Sequence, residues 1–304
     1  MSRRKAPPAE PEPVRRSDYR TFKTQDRDWD GWEFVGSMKW VRADTLGEFF
    51  DPEHQPAIIL SKEELQKREE ERPRTGRGGK RTGLPWPREY TDRMNATMRI
   101  VYKWEENGFT KRWQPWGGQP QWIALTEAGL FERQLRKWHE IDWPDKESVR
   151  HDDLYYISHT HRVNQMRVRL LGGTANAPKH RWLSERAIES SLPPKEAGVM
   201  LPHVPDGVML LREDGSWDIT IKGEVVDTVK MKSGQTVAIE VELSRKHFER
   251  LDHRVLPSLL EEYDYVWYFA EKNAHQAIYK ARGEHLKAEE DQRRIRLLRL
   301  EDYL

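Results

Sequence analysis

Val237-Ala238-Ile239-Glu240-Val241-Glu242-Leu243 is the stretch on which the fold turns. In a β-strand successive side chains point to opposite faces. Val237, Ile239, Val241 and Leu243 then share an apolar face, and Glu240 and Glu242 share the other, about 7 Å apart along the strand. Glutamate is disfavoured in strands. Two neighbouring carboxylates repel unless positive charge lies between them. A divalent cation with oxygen ligands would remove that cost. The plainer alternative is the solvated face of a half-exposed sheet.

Working outward, Pro205-Asp206-Gly207-Val208 places an acid at the start of a strand over 208–211. Residues 217–231 read as a hairpin, 245–262 as a helix, 265–270 as a strand, 273–282 as a helix and 295–300 as a last strand. Trp182 to Ser191 reads as a helix carrying Glu185. The order α-β-β-β-α-β-α-β predicts an α/β class with a mixed sheet and helices packed on it. Taken singly, Asp206 is a turn residue before Gly207, and Glu185 is a surface helix charge.

Together, helix-Glu, Asp, then Glu-x-Glu on the following strand resembles the PD-(D/E)xK nuclease pattern over residues 180–270. The resemblance implies an αβββαβ core. It implies Mg2+ (or Mn2+) held by Asp206 and Glu240, lowering the pKa of a bound water. Glu242 stands where lysine is usual and would orient or deprotonate that water. Glu185 would help hold a second ion or water. Arg245 and Lys246 would contact phosphate, Lys246 being grouped with the catalytic residues. Without lysine at position 242, a non-catalytic DNA-binding descendant remains an alternative. For Arg245 and Lys246 the bland reading is a solvated helix start.

The N-terminal half has a different texture. Residues 1–28, rich in Pro, Arg, Glu and Asp, read as a flexible arm. A helix is expected over 37–50 from Met38, Val41, Leu46, Phe49 and Phe50. Ser61-Lys62-Glu63-Glu64 looks like the capped start of a short helix. Residues 72–88, with Arg77, Lys80 and Arg81 among Gly, Pro and Thr, read as a basic loop. Met94, Thr97, Met98, Val101 and Trp104 recur at helical spacing over 89–107, and Asn107-Gly108 stops the helix. Thr110 to Trp113 and Gln121 to Leu125 form a hairpin, and Thr126-Glu127-Ala128-Gly129-Leu130 begins another helix. Order and closing motif resemble a winged-helix DNA-binding domain spanning 29–150, with 151–304 as the nuclease-like domain. That resemblance implies Arg93, Asn95, Arg99 and Lys103 toward a groove, Lys111 and Arg112 on the wing, and Arg77, Lys80 and Arg81 on phosphates. Ordinary surface charge is the competing reading of these cations.

Composition bounds the rest. Net charge is +1, so nucleic-acid contact must come from local patches. There are 13 Trp, 10 Tyr and 8 Phe to build cores in a chain that is 34% charged. The absence of cysteine removes disulfides, thiolate zinc sites and Cys nucleophiles. No apolar run approaches the roughly 18–20 residues of a membrane helix, and the N-terminus lacks a signal-peptide pattern. The cytoplasm is the default.

A closer resemblance rests on Pro205 to Val208, Val237 to Lys246, Tyr263 to Phe269, His159 to Val168 and Trp182 to Arg186. These segments look like the replication-relaxation family of actinobacterial plasmids and phages. The resemblance implies double-stranded DNA as partner, together with other replication or mobile-element proteins. Tyr155 and Tyr156 beside His159-Thr160-His161 also suggest a tyrosine-dependent nicking enzyme. Against it, two histidines two apart on a helix point in different directions.

Overall fold

In a computed structural model of the chain, residues 24–51, 88–114, 120–136, 157–171, 180–192, 203–221, 224–244, 251–285 and 293–304 are described. The first lobe runs α1 (Asp26–Ser37), β1 (Trp40–Arg42), α2 (Ala43–Phe50), α3 (Arg88–Glu106), β2 (Thr110–Trp113), β3 (Trp122–Leu125) and α4 (Glu127–Arg136). Its three strands are antiparallel in the order β1-β3-β2.

Helix α1 starts inside the expected arm. Its first turn holds a capping box between Gln25 and Asp28, and Asp28 is buried because its second carboxyl oxygen accepts from the Trp104 indole at 3.0 Å. The single helix expected over 37–50 is instead a turn, strand β1 and helix α2. Trp40 and Val41 are both buried there, and bulky aromatic and β-branched side chains fit a strand better than a helix. Lys39 makes the turn with φ 66, the left-handed conformation that commonly follows a helix end.

The motif at 125–130 ties hairpin to helix. The Thr126 hydroxyl donates to Gly108 O and accepts from Gly129 N–H, and Thr126 N–H donates to Phe109 O. Gly108, at φ +77, permits that turn. A Cβ on Gly129 would lie 2.2 Å from the Phe109 carbonyl oxygen. Gly129→Ala is therefore expected to cost about 1–3 kcal/mol by overpacking, read as a fall in Tm. An unchanged Tm would show that the close approach is not required.

Helix α5 (Ile157–Leu171) leads into a larger lobe. It contains β4 (His180–Ser184), α6 (Glu185–Ser191), β5 (Gly207–Leu211), β6 (Gly215–Ile221), β7 (Glu224–Met231), β8 (Thr236–Glu242), α7 (Leu256–Glu262), β9 (Tyr265–Ala270), α8 (Lys272–His285) and β10 (Ile295–Arg299). The main sheet has the order β10-β9-β8-β5-β4. Strands β4, β5 and β8 pair antiparallel, and β8, β9 and β10 pair parallel. Strands β6 and β7 form a separate ribbon, anchored by Trp217 against His180 and Trp267. The expected α/β character with a mixed sheet is present. The helix expected over 182–191 is corrected: His180–Ser184 is a strand with an alternating buried pattern, and the helix begins only at Glu185, capped by Ser184.

Both faces of the main sheet are covered. Val237, Ile239 and Val241 join a core that runs through Val163 and Met166 of α5 to Trp32 and Trp104 of the first lobe. Ala238 and Tyr268 face α7 and α8 on the other side. Helix α5 is thus common to both lobes, and its Asn164 donates to Trp40 O at 2.9 Å. Arg186 reaches Gly36 O, and Arg167 reaches the Ser37 hydroxyl. No described helix is long and apolar enough to cross a membrane.

Candidate functional site

Three segments converge where the lobes meet: the Lys39 turn, the first turn of α5, and the β4–α6 junction beside the start of β5. They enclose a cleft of about 310 Å3 whose walls include Lys39, His159, Glu185, Arg186 and Asp206. Asp206 precedes β5. Since Gly207 pairs with Ile239 in antiparallel register, Asp206 lies opposite Glu240. Its Oδ2 accepts from Val241 N–H at 2.7 Å and stands 3.3 Å from His159 Nε2. His159 Nε2 is also 2.9 Å from Val241 O. Both of these neighbours are acceptors, so Nε2 carries the proton. Burial alone would pull His159 down, but the Asp206 carboxylate outweighs it and holds the ring at about 9.

The neighbouring acid shifts the other way. Burial in the cleft wall, then the carboxylates of Asp206 and Glu189, push Glu185 up to about 7, although its outer edge remains open to solvent. Lys39 and His159 oppose that shift. The cleft thus brings together a protonated imidazole, an ionisable carboxyl near neutrality and a lysine.

Glu240 and Glu242 do share one face of β8, as the alternation requires. That face is not solvated: they are 2% and 4% exposed. The sheet is closed there by α7 and α8, which overturns the half-exposed alternative. Glu240 Oε1 bonds His203 Nε2 at 2.8 Å. Burial, with Glu240, Glu242 and Asp206 all nearby, pushes the Tyr268 hydroxyl well up, so it stays a phenol.

The expected quartet therefore divides. Glu185 and Asp206 meet at the cleft, and Glu240 faces Asp206 from β8 but is bonded to His203. Glu242 lies a further two residues along the strand. Among the described residues no group of three or more His, Asp or Glu side chains is arranged to hold a metal ion. One oxygen of Asp206 and one of Glu240, the pair expected to hold Mg2+ or Mn2+, is already met by a histidine, so the donor set as folded does not present the open carboxylate pair the ion needs. Arg245 and Lys246 lie outside the described residues.

His159 and His203 were not assigned to this site by sequence reasoning. His159 stood out as half of a histidine pair and as the start of the His159 to Val168 segment, without a role at the acids. His203 lies three residues before Asp206, and its polarity beside a strand start was the one available signal. Nothing in Ser37-Met38-Lys39 announces a left-handed lysine at a cleft.

On the first lobe, Asn95, Arg99 and Lys103 form an exposed stripe at four-residue intervals on α3, beside Tyr102. Arg93, expected there too, turns inward. Its guanidinium NH1 is buried, its stem packs on Gly47, and its charge acts on buried Glu48. Arg112 lies over the Tyr102 ring at 4.3 Å and is tied to Glu105 and Gln121. Lys111 is half-buried on β2. Arg77, Lys80 and Arg81 lie outside the described residues, as do Tyr155 and Tyr156.

No family model, curated protein or solved structure matches the chain.

Proposed function

We propose that the chain is a double-stranded-DNA-binding protein that acts in the replication or relaxation of a mobile element. In this reading the first lobe is a winged helix and the second a PD-(D/E)xK-like domain serving as a binding module. The observation that carries it is that the described elements run helix, strand, helix, helix, strand, strand with sheet order β1-β3-β2, together with the exposed Asn95-Arg99-Lys103 stripe on the last helix before the hairpin. In such domains that helix enters the major groove and the hairpin lies along the backbone. With α6 and the β6–β7 ribbon set aside, the described elements run α5-β4-β5-β8-α7-β9 with Asp206 opposite Glu240, which supports the nuclease-like reading of the second lobe. Histidine engagement of both acids favours binding over hydrolysis.

Fluorescence anisotropy with duplex DNA tests it. Affinity should fall steeply between 50 and 200 mM salt, by about tenfold or more. Arg99→Ala should weaken binding by about tenfold. Lys103→Ala should reduce the salt slope by about one. Affinity insensitive to salt and to both substitutions would remove the DNA reading. Plasmid nicking with Mg2+ or Mn2+ separates hydrolysis from binding. Cleavage by the wild type that is lost in Glu240→Ala would make the second lobe an endonuclease.

A further inference from the structure

Asp206 lies opposite Glu240 where β5 begins beside β8, and Glu240 and Glu242 are almost fully buried. Buried carboxylates are retained only when paired or hydrogen-bonded. We propose that His159 and His203 are the positioning residues of this acid pair. Each engages one oxygen of an acid expected to hold a divalent ion, so that histidines position the Asp206–Glu240 pair in place of an ion.

The two histidines arrive independently. His159 comes from the first turn of α5 and His203 from the segment leading into β5. On Asp206, Oδ2 faces two donors at once, Val241 N–H and the His159 ring. A carboxylate oxygen offers two lone-pair directions, so that oxygen has none left for an ion. On Glu240, Oε1 is bonded by His203 at 2.8 Å, inside the protein. His159 also holds Val241 O. It therefore braces the backbone of β8 and the carboxyl that precedes β5 with a single nitrogen. The brace reaches the first lobe as well, because the same helix carries Asn164 to Trp40 O. The inference concerns the acids of the second lobe and is read by metal uptake, so it stands or falls separately from DNA binding by the first.

The test uses the full chain and Mn2+, followed by thermal unfolding and by electron paramagnetic resonance of the free ion. Wild-type Tm should stay within about 1 °C in millimolar Mn2+, with no stoichiometric uptake. An ion bound a hundredfold above its Kd would raise Tm by about 5 °C or more. The double variant His159→Ala/His203→Ala keeps the acids and loses both braces. It should melt lower, and it should take up Mn2+ and recover Tm. Adding Asp206→Asn should abolish that recovery. If the double variant does not fold, His159→Gln and His203→Gln each keep an N–H donor, and each should stay folded and unresponsive to Mn2+. Stoichiometric Mn2+ binding by the wild type, lost in Asp206→Asn, overturns the proposal. So does a double variant as stable as the wild type.

Discussion

Trp104→Ala is expected to unfold the first lobe or leave it barely stable. The indole is fully buried on α3, edge-on to Trp32 at 5.8 Å and to Phe50 at 6.1 Å. Its six-membered ring packs so closely on α1 that a Cβ at Gly31 would come within 2.5 Å of it. Truncating a buried tryptophan costs about 3–5 kcal/mol. The substitution also removes the N–H that meets the buried Asp28 carboxylate at 3.0 Å. An unmet buried acceptor adds about 1–3 kcal/mol. Together these approach the roughly 5–15 kcal/mol that holds a domain together. Trp104→Phe keeps an aromatic ring but loses the donor, and should fall between the two. Urea denaturation followed by circular dichroism ranks the three proteins. A loss under about 1 kcal/mol in Trp104→Ala would show that this core is not what stabilises the lobe.

The second large effect is acid sensitivity carried by His161. Burial first, then the charge of Arg42, pulls its pKa down to about 3, with Asp44 opposing. The ring sits between the lobes, 8% exposed, with Nδ1 3.4 Å from the Thr45 hydroxyl. In the unfolded chain the same ring takes up a proton near pH 6.5, while the folded protein refuses it until about pH 3. The unfolded state thus binds more protons in that window, and stability falls as pH drops through it. The slope is roughly 1.4 kcal/mol per pH unit, so moving from pH 6.5 to 4.5 should remove about 2.5 kcal/mol. His161→Gln cannot titrate and should flatten the slope, at some cost in stability at neutral pH. Denaturation curves at pH 7.0, 5.5 and 4.5 read the difference directly. Parallel losses in wild type and variant would assign the acid sensitivity to other groups. His159, two residues away, has the opposite sign. Its contribution is complete below pH 6.5 and is lost as pH rises through about 9.

Much of the candidate site was legible, but not its wiring. Alternation put Glu240 and Glu242 on one face of a strand, and the Pro-Asp-Gly run put Asp206 at the start of another. Neither pattern could tell that α7 and α8 cover that face, because burial depends on which helices return to the sheet. The histidine pair was visible as a pair, and helical spacing sends its members apart. It took the packed helix to show that one meets Asp206 and the other meets Thr45. Arg93 illustrates the converse. Its charge suggested a surface, and Gly47 left room for its stem to turn inward toward Glu48.

What the linear chain determined by itself is periodicity and punctuation: β8, α3, the Asn107-Gly108 stop and the Thr126 cap follow from residues within one element of each other. Local rules suffice there because each depends on backbone conformation and on neighbours three or four residues away. The tertiary structure alone decided that His180–Ser184 is a strand, that Lys39 turns left-handed at a cleft, and that His159 and His203 close on Asp206 and Glu240. Those outcomes depend on contacts between segments tens of residues apart, whose free energies arise only when the sheet and α5 come together.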